Sequence, residues 1–285
     1  MLTIFSAPKP FIGHINTIQR NAIKSWLKLD GSVEVILLGD EEGIKETAFE
    51  FNIRHIKEIA RNEYNVPLIS SIFKSAEQFS SNRILAYVNC DIIFTKDIIE
   101  AVKKINHPVF LANGRRWDLD IKEEINFEKS DWDKELYKMI EDKGELHGYS
   151  GIDYFVFLKP FPFEIPDFAV GRPGWDNWLI YKAKSLKIPV IDLTEAVDIV
   201  HQNHNYAHSP FANEKKKRIE GAEFEKNIRL AGGLINMLTI READWVLTKE
   251  GLKKPAFFRN ILSKLSSFYF FRYLLYLKRE IQNRL

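Results

Sequence analysis

The chain has 285 residues, 45% of them hydrophobic and 28% charged, with a formal net charge of +2, so it can bury a sizeable core and is neither disordered nor generally nucleic-acid binding. Its single cysteine, Cys90, excludes an internal disulfide and fits a reducing compartment. The start, Met1 to Ser6, has no basic segment followed by a long apolar run, so a cytoplasmic location is expected and no signal peptide is read.

In chain order, Leu2 to Ala7 predicts a strand and Ile15 to Leu29 an amphipathic helix. Val33 to Leu38 predicts an apolar strand stopping at Gly39-Asp40. A helix over Glu46 to Phe51, a strand at Ile53 to Ile56, a helix over Pro67 to Phe79 and a strand at Ile84 to Val88 follow. Val109 to Ala112 and Tyr154 to Leu158 are further strands, separated by long loops and one helix around Trp132 to Ile140. A helix from Trp175 to about Leu186 precedes short strands at Ile188 to Asp192 and Val197 to Val200. Near-continuous apolar strands alternating with amphipathic helices predict an α/β fold with a mostly parallel sheet flanked by helices. The expected division is a domain over 1–250, with a nucleotide-binding half to about 112 and an acceptor half from 113, then a tail over 251–285. The stretch from Leu2 to about Trp245 is expected to hold every strand.

In such sheets ligands lie beyond the carboxyl ends of the strands. Ser6, Ala7, Pro8 and Lys9 follow the first strand, Asp40 the second, and Asn89-Cys90-Asp91 the fourth. Asp91 sits within strongly apolar sequence and needs a partner charge, hydrogen bonds or a metal. Alternation puts Asn89 and Asp91 on one side, where two oxygen donors suit a hard cation holding diphosphate oxygens. Arg61 and Asn65, before a helix start, are candidates for the nucleotide. Arg115, Arg116 and Trp117 form a cluster, with Asp118 and Asp120, suited to anion recognition and to stacking on a sugar.

Tyr87 to Phe94 resembles the Asp-x-Asp segment of GT-A fold nucleotide-sugar-dependent glycosyltransferases, with Asn89 in place of the first aspartate. The likeness extends through three later segments in the family's order. His147-Gly148-Tyr149-Ser150-Gly151-Ile152-Asp153 resembles the glycine loop lining donor sugar and acceptor. Gly171 to Trp178 resembles the segment carrying the catalytic acid at a helix start, with Asp176 as that residue and Trp175 and Asn177 expected at the acceptor. Val200 to Asn205, with His201 and His204, resembles the late histidine that completes the metal site.

The resemblance implies a divalent cation, Mn2+ or Mg2+, held by Asp91 and a late histidine. It implies a nucleotide-diphosphate sugar as donor, a UDP-sugar first among them, and a glycan or lipid-linked glycan as acceptor. Asp176 is expected to act as the base of an inverting transfer; its plainer reading is a first-turn residue stabilised by the helix dipole. His201, directly after its strand, ranks ahead of His204 as ligand, and His204 with Tyr206 and His208 could instead form an acceptor rim. Alternatives are a metal-dependent hydrolase using Asp91, His201 and His204, and a non-catalytic sugar- or lipid-binding protein.

From Gly251 to Leu285 eight basic residues face one acid, Glu280, a net of +7 that leaves −5 for the remainder. Phe257, Phe258, Ile261, Leu262, Leu265 and Phe268 recur at helical steps there. An aromatic, basic amphipathic helix is expected to lie on an anionic membrane surface, making the protein peripheral on the inner face of the cell membrane. The other reading is a helix packed on the domain or on a second subunit.

Overall fold

In a computed structural model of the protein, residues 1–204, 221–266 and 268–282 are described. The elements run β1 (Leu2–Ser6), α1 (Gly13–Leu27), β2 (Val33–Leu38), α2 (Ile44–Glu50), β3 (Arg54–Ile56), α3 (Ile69–Phe79), β4 (Ile84–Val88), β5 (Ile92–Phe94) and α4 (Asp97–Lys103). They continue with β6 (Leu111–Asn113), β7 (Trp117–Leu119), α5 (Trp132–Lys143), β8 (Glu145–Leu146), β9 (Tyr154–Leu158), α6 (Trp175–Ser185), β10 (Val190–Asp192), β11 (Ile199–Gln202) and α7 (Ala222–Leu230). The last are β12 (Trp245–Thr248), β13 (Gly251–Lys253), α8 (Phe257–Leu265) and α9 (Tyr269–Gln282).

The main sheet has nine strands in the order β13-β12-β10-β6-β9-β4-β1-β2-β3. β4, β1, β2 and β3 run parallel, as do β6, β10 and β12, while β9 lies antiparallel between the two groups. The apolar strands are buried on both faces, as the sequence predicts for a parallel sheet. One face packs Ile4, Val35, Leu37 and Ala86 under α1, whose Ala22, Ile23 and Trp26 are fully buried. The other face packs Phe5, Leu85, Tyr87 and Phe157 under α3 and α6. β13 pairs with β12 across residue 250, so the sheet continues past Trp245, where the strands were expected to end.

A second sheet, β5-β11-β7-β8, stands beside the main one. It was not foreseen, because its strands are two to four residues long and lie among polar loops. β4 ends at Val88, the chain turns through Asn89 to Asp91, and Ile92 N–H closes that turn on the Asn89 carbonyl at 3.1 Å. The Trp26 indole N–H donates to the Ile92 carbonyl at 3.0 Å, tying the start of β5 to α1. Truncating a side chain buried like Trp26 costs roughly 3–5 kcal/mol.

Candidate metal and transfer site

The strand order reverses between β4 and β1: β1, β2 and β3 succeed one another on one side, and β4 joins on the other. The segments after β1 and β4 therefore flank a crevice of the kind in which α/β proteins bind ligands. Asp91 lies there, and the small sheet delivers the histidines to it. In the β11–β5 pairing His201 stands opposite Ile92, next to Asp91, and in the β11–β7 pairing it stands opposite Asp118.

Asp91 Oδ2 lies 3.2 Å from His204 Nε2, 3.9 Å from His201 Nε2 and 4.0 Å from Lys9 Nζ. Asp91 Oδ1 is buried with no hydrogen-bond partner among the described residues. One ligand atom from each of Asp91, His201 and His204 falls within 4.8 Å of the others. A buried carboxylate oxygen left over beside two imidazoles fits a divalent cation, and ligand distances near about 2.1 Å would require the three groups to draw slightly together. Burial works against the charge of Asp91, but the hydrogen bond with His204 and the nearby His201 and Lys9 outweigh it and hold the carboxyl well below the usual range.

The His201 and His204 rings are brought together, with centroids 5.7 Å apart, because β11 stops at Gln202 and His204 lies beyond the strand. His204, ranked second from the sequence, is the nearer of the two to Asp91. Gln202 between them is fully buried and donates to the carbonyls of Ile18 at 2.8 Å and Asp91 at 3.2 Å, while its Oε1 accepts from Asn21 at 3.0 Å. Tyr206 and His208 lie outside the described residues.

Around this centre runs a network of fixed charges. Asp118 Oδ1 lies 3.0 Å from His201 Nδ1 and accepts from Arg116 Nε at 2.9 Å, and Asp118 Oδ2 lies 2.7 Å from His147 Nδ1. Burial opposes ionisation of Asp118, yet His201, His147 and Arg116 hold its carboxyl low. Arg116 Nη1 also donates to Asp153, whose other oxygen accepts from Asn89 Nδ2 at 2.8 Å. Asn89 Oδ1 in turn accepts from the Tyr87 hydroxyl at 2.9 Å. The side chain of Asn89 is thus engaged by Tyr87 and Asp153 and does not join Asp91 as a second oxygen ligand, because the turn after β4 breaks the alternation that would align them.

Asp176 opens α6 beyond Gly174, which takes a left-handed φ of 109° that a side chain would strain. Its Oδ1 accepts from Asn177 N–H at 2.9 Å. Burial pushes its carboxyl up to about 6, against the backbone hydrogen bonds and with help from the charge of Asp153. Burial, with the charges of Asp91, Asp153 and Asp176, raises the Tyr87 phenol, whose hydroxyl donates to Asn89.

Other expected contacts fall differently. Trp175 is 5% exposed and meets Tyr87 edge-on at 5.2 Å, so it belongs to the core and offers no face to an acceptor. The Trp117 indole donates to Asp198 at 2.7 Å and its ring packs against a small cluster with Leu119 and Trp132, turned away from a sugar-stacking role. Asn177 donates to the Leu238 carbonyl at 2.9 Å. Arg61 pairs with Glu41 at 2.8 Å and donates to the Asn65 carbonyl at 2.9 Å, and Asn65 forms a left-handed turn, so this pair braces its own loop. Asp40 is exposed at the end of β2, 3.5 Å from Lys57. Ser6 is buried at the end of β1, and Ala7 and Pro8 lead to Lys9, whose backbone is clamped by Gln19 at 2.7 and 2.8 Å. Arg115 donates to the His147 carbonyl at 2.6 Å and stacks on Tyr149 at 4.7 Å, bracing the loop of Gly148, Ser150 and Gly151. Gly151 packs so close to His147 that a Cβ would come within 2.2 Å of the ring.

Asp118, which the sequence groups only with the Arg115–Asp120 cluster, and Tyr87 join the network around Asp91. The sequence signal for Asp118 is the alternation Arg116-Trp117-Asp118, which places Arg116 and Asp118 on one side of a strand. That strand is only three residues long and was read as loop.

No protein-family profile matches the chain, and no curated protein matches it by sequence. Among solved structures it is similar to a mannosyltransferase from Pyrobaculum calidifontis in complex with GDP-mannose and Mn2+, at 12% identity over 82% of this chain and 62% of that one, with a TM-score of 0.45. It is similar to glucosyl-3-phosphoglycerate synthase from M. tuberculosis, at 11% identity over 82% of this chain and 81% of that one, TM-score 0.44. A third is a 1–349 fragment of S. aureus TarS, at 11% identity over 42% of this chain and 36% of that one, TM-score 0.34. The chain thus spans about a third of the TarS fragment and under two thirds of the mannosyltransferase. At this level of similarity no residue of the chain takes a role from these proteins.

Proposed function

We propose that the chain transfers a sugar from a nucleotide-diphosphate sugar to an acceptor hydroxyl, with a divalent cation held by Asp91, His201 and His204. The observation that carries this reading is the buried Asp91 Oδ1, without a hydrogen-bond partner among the described residues, beside two imidazoles at the strand-order reversal. When bound, the cation supplies charge stabilisation to the diphosphate leaving group. Two imidazoles and one carboxylate suit Mn2+ better than Mg2+, which takes oxygen ligands.

The residues of the chain divide the remaining work. Lys9, half exposed and 4.0 Å from Asp91, brings a second positive charge to the crevice for the diphosphate. Asp176, ionised above about pH 6, accepts the acceptor's hydroxyl proton as that oxygen attacks the anomeric carbon. The bond from that carbon to the diphosphate oxygen breaks, and the nucleotide diphosphate leaves with the electron pair. A single base without a separate nucleophile supports inversion. The glycine loop from His147 to Gly151, braced by Arg115 and Asp118, is assigned to the acceptor side. The acceptor in this reading is a glycan or lipid-linked glycan at the inner face of the cell membrane, and the donor of first choice is a UDP-sugar.

Thermal-shift screening of nucleotide-sugars with and without Mn2+ tests the reading, since a true donor stabilises the folded state by linkage. Stabilisation by one nucleotide-sugar only in the presence of Mn2+ is the expected result. Rapid donor breakdown at an unchanged rate with and without any acceptor would instead favour the hydrolase.

A further inference from the structure

The two readings of the basic tail, on a membrane or packed on protein, are not exclusive in the structure, because the helices dock by their polar side. On α8, Ser263 is 2% exposed and its hydroxyl joins Lys184 Nζ at 2.9 Å and Asp244 Oδ1 at 3.0 Å, while Lys184 Nζ donates to the same Asp244 oxygen at 2.6 Å. Arg259 turns inward as well, donating to Asp192 Oδ2 and the Ile240 carbonyl at 2.6 Å. Arg272 on α9 is buried, with its guanidinium 4.8 Å from the centre of the Tyr181 ring.

The apolar side faces outward. Ten of the nineteen large hydrophobic side chains exposed among the described residues lie between Phe257 and Leu277. Phe257, Phe258, Phe268 and Phe270 are 72%, 84%, 65% and 71% exposed. That is the reverse of an amphipathic helix packed for stability, which buries its apolar stripe. A contiguous exposed apolar patch of this kind marks an interaction surface.

We infer that α8 and α9 form a docked platform whose outward aromatic face seats the protein on an anionic lipid surface. The occupant follows from charge and length. Lys264 is exposed on the same side of α8 as Phe257, Ile261 and Leu265, spaced one helical turn and two turns along it, and the tail from Gly251 to Leu285 carries a net +7 in sequence. Aromatic side chains set among lysines suit the headgroup boundary of an anionic bilayer. A second copy laid face to face would instead bring two tails of net +7 together. No helix among the described residues is long and apolar enough to cross a membrane, so the contact is interfacial. Because Arg259, Ser263 and Arg272 tie the helices to the domain, the platform holds the domain at a fixed attitude to the surface and does not tether it loosely. Arg259 and Arg272 are engaged in that docking, so fewer than the eight basic residues of the tail act on lipid.

The platform is independent of which nucleotide-sugar the chain takes, and its test separates the two. Full-length protein and a Phe257→Ser/Phe268→Ser variant are sedimented with phosphatidylcholine vesicles with and without phosphatidylglycerol, and Mn2+-UDP binding is titrated on the same preparations. Both positions are exposed, and melting curves check that the fold is retained; Ile261→Asn serves as a second variant. The native protein is expected to sediment only with phosphatidylglycerol vesicles, less at high salt, and the double variant to lose about tenfold or more in partitioning with unchanged UDP binding. Native protein that ignores anionic vesicles overturns the platform, as does a double variant that partitions equally. Concentration-dependent dimerisation abolished by the same substitutions would assign the face to a second copy.

Discussion

His201 Nδ1 lies 3.0 Å from Asp118 Oδ1 across the paired strands β7 and β11, which leaves His201 Nε2 directed toward Asp91. A carboxylate behind a histidine fixes the ring's orientation and raises its basicity as a metal ligand. The same carboxylate holds His147 and Arg116, so one residue links the Asp91–His201–His204 cluster to the glycine loop.

Asp118→Asn keeps the shape of the side chain but removes its charge. Mn2+ affinity measured by calorimetry is expected to fall roughly 10- to 100-fold, with the melting temperature little changed. Full Mn2+ affinity in that variant would show that Asp118 only braces the loop.

For Asp176→Asn, turnover is expected to fall by roughly two to four orders of magnitude with donor affinity intact. In the proposed transfer, kcat/KM of the native protein should rise with pH through about 6 as this carboxyl ionises. Stability runs the other way. The folded carboxyl keeps its proton to about 6 while the unfolded one loses it near about 4, so the folded state binds more protons in that window and stability from this group declines as pH rises. A variant with near-native turnover and a lower melting temperature would assign Asp176 to helix capping alone.

Lys184→Met removes the buried ammonium that joins Asp244 to Ser263 of α8. A loss of about 2 kcal/mol in chemical denaturation is expected, below the roughly 3–5 kcal/mol for breaking a fully buried pair because Asp244 keeps some solvent. A chain ending at Lys249 is expected to melt lower still, since it loses β13 and the docked helices together. Unchanged melting of either protein would mean that the platform rests on the domain without stabilising it.

The legible parts of the molecule are those written in local pattern. Val33 to Leu38, Ile84 to Val88 and Tyr154 to Leu158 are apolar runs that only a doubly covered sheet can bury, and each forms a strand where expected. Asp91 is conspicuous for the same reason, as a carboxylate among residues that must be buried. β5, β7, β8 and β13 are two or three residues long, and runs of that length carry no periodicity. What they build was equally invisible: the opposition of His201 to Asp118 is a matter of register between segments far apart in the chain. Trp117 and Trp175 stand beside charged and glycine-rich residues and read as surface aromatics, yet tertiary packing turns both toward apolar clusters. On α8 the spacing of the aromatic residues is plain, but the side they face depends on the partners Asp244, Lys184 and Asp192, which no local pattern announces.

The most direct measurement is a calorimetric titration of UDP in the presence of Mn2+ into the native protein, Asp91→Ala and His204→Ala. The native protein is expected to bind UDP only with the metal. Asp91→Ala is expected to lose that metal-dependent binding while staying folded, and His204→Ala, which removes the imidazole 3.2 Å from Asp91, to weaken it at least about tenfold. Metal-dependent UDP binding of native strength in both variants would contradict the assignment of Asp91, His201 and His204 as the centre of the site.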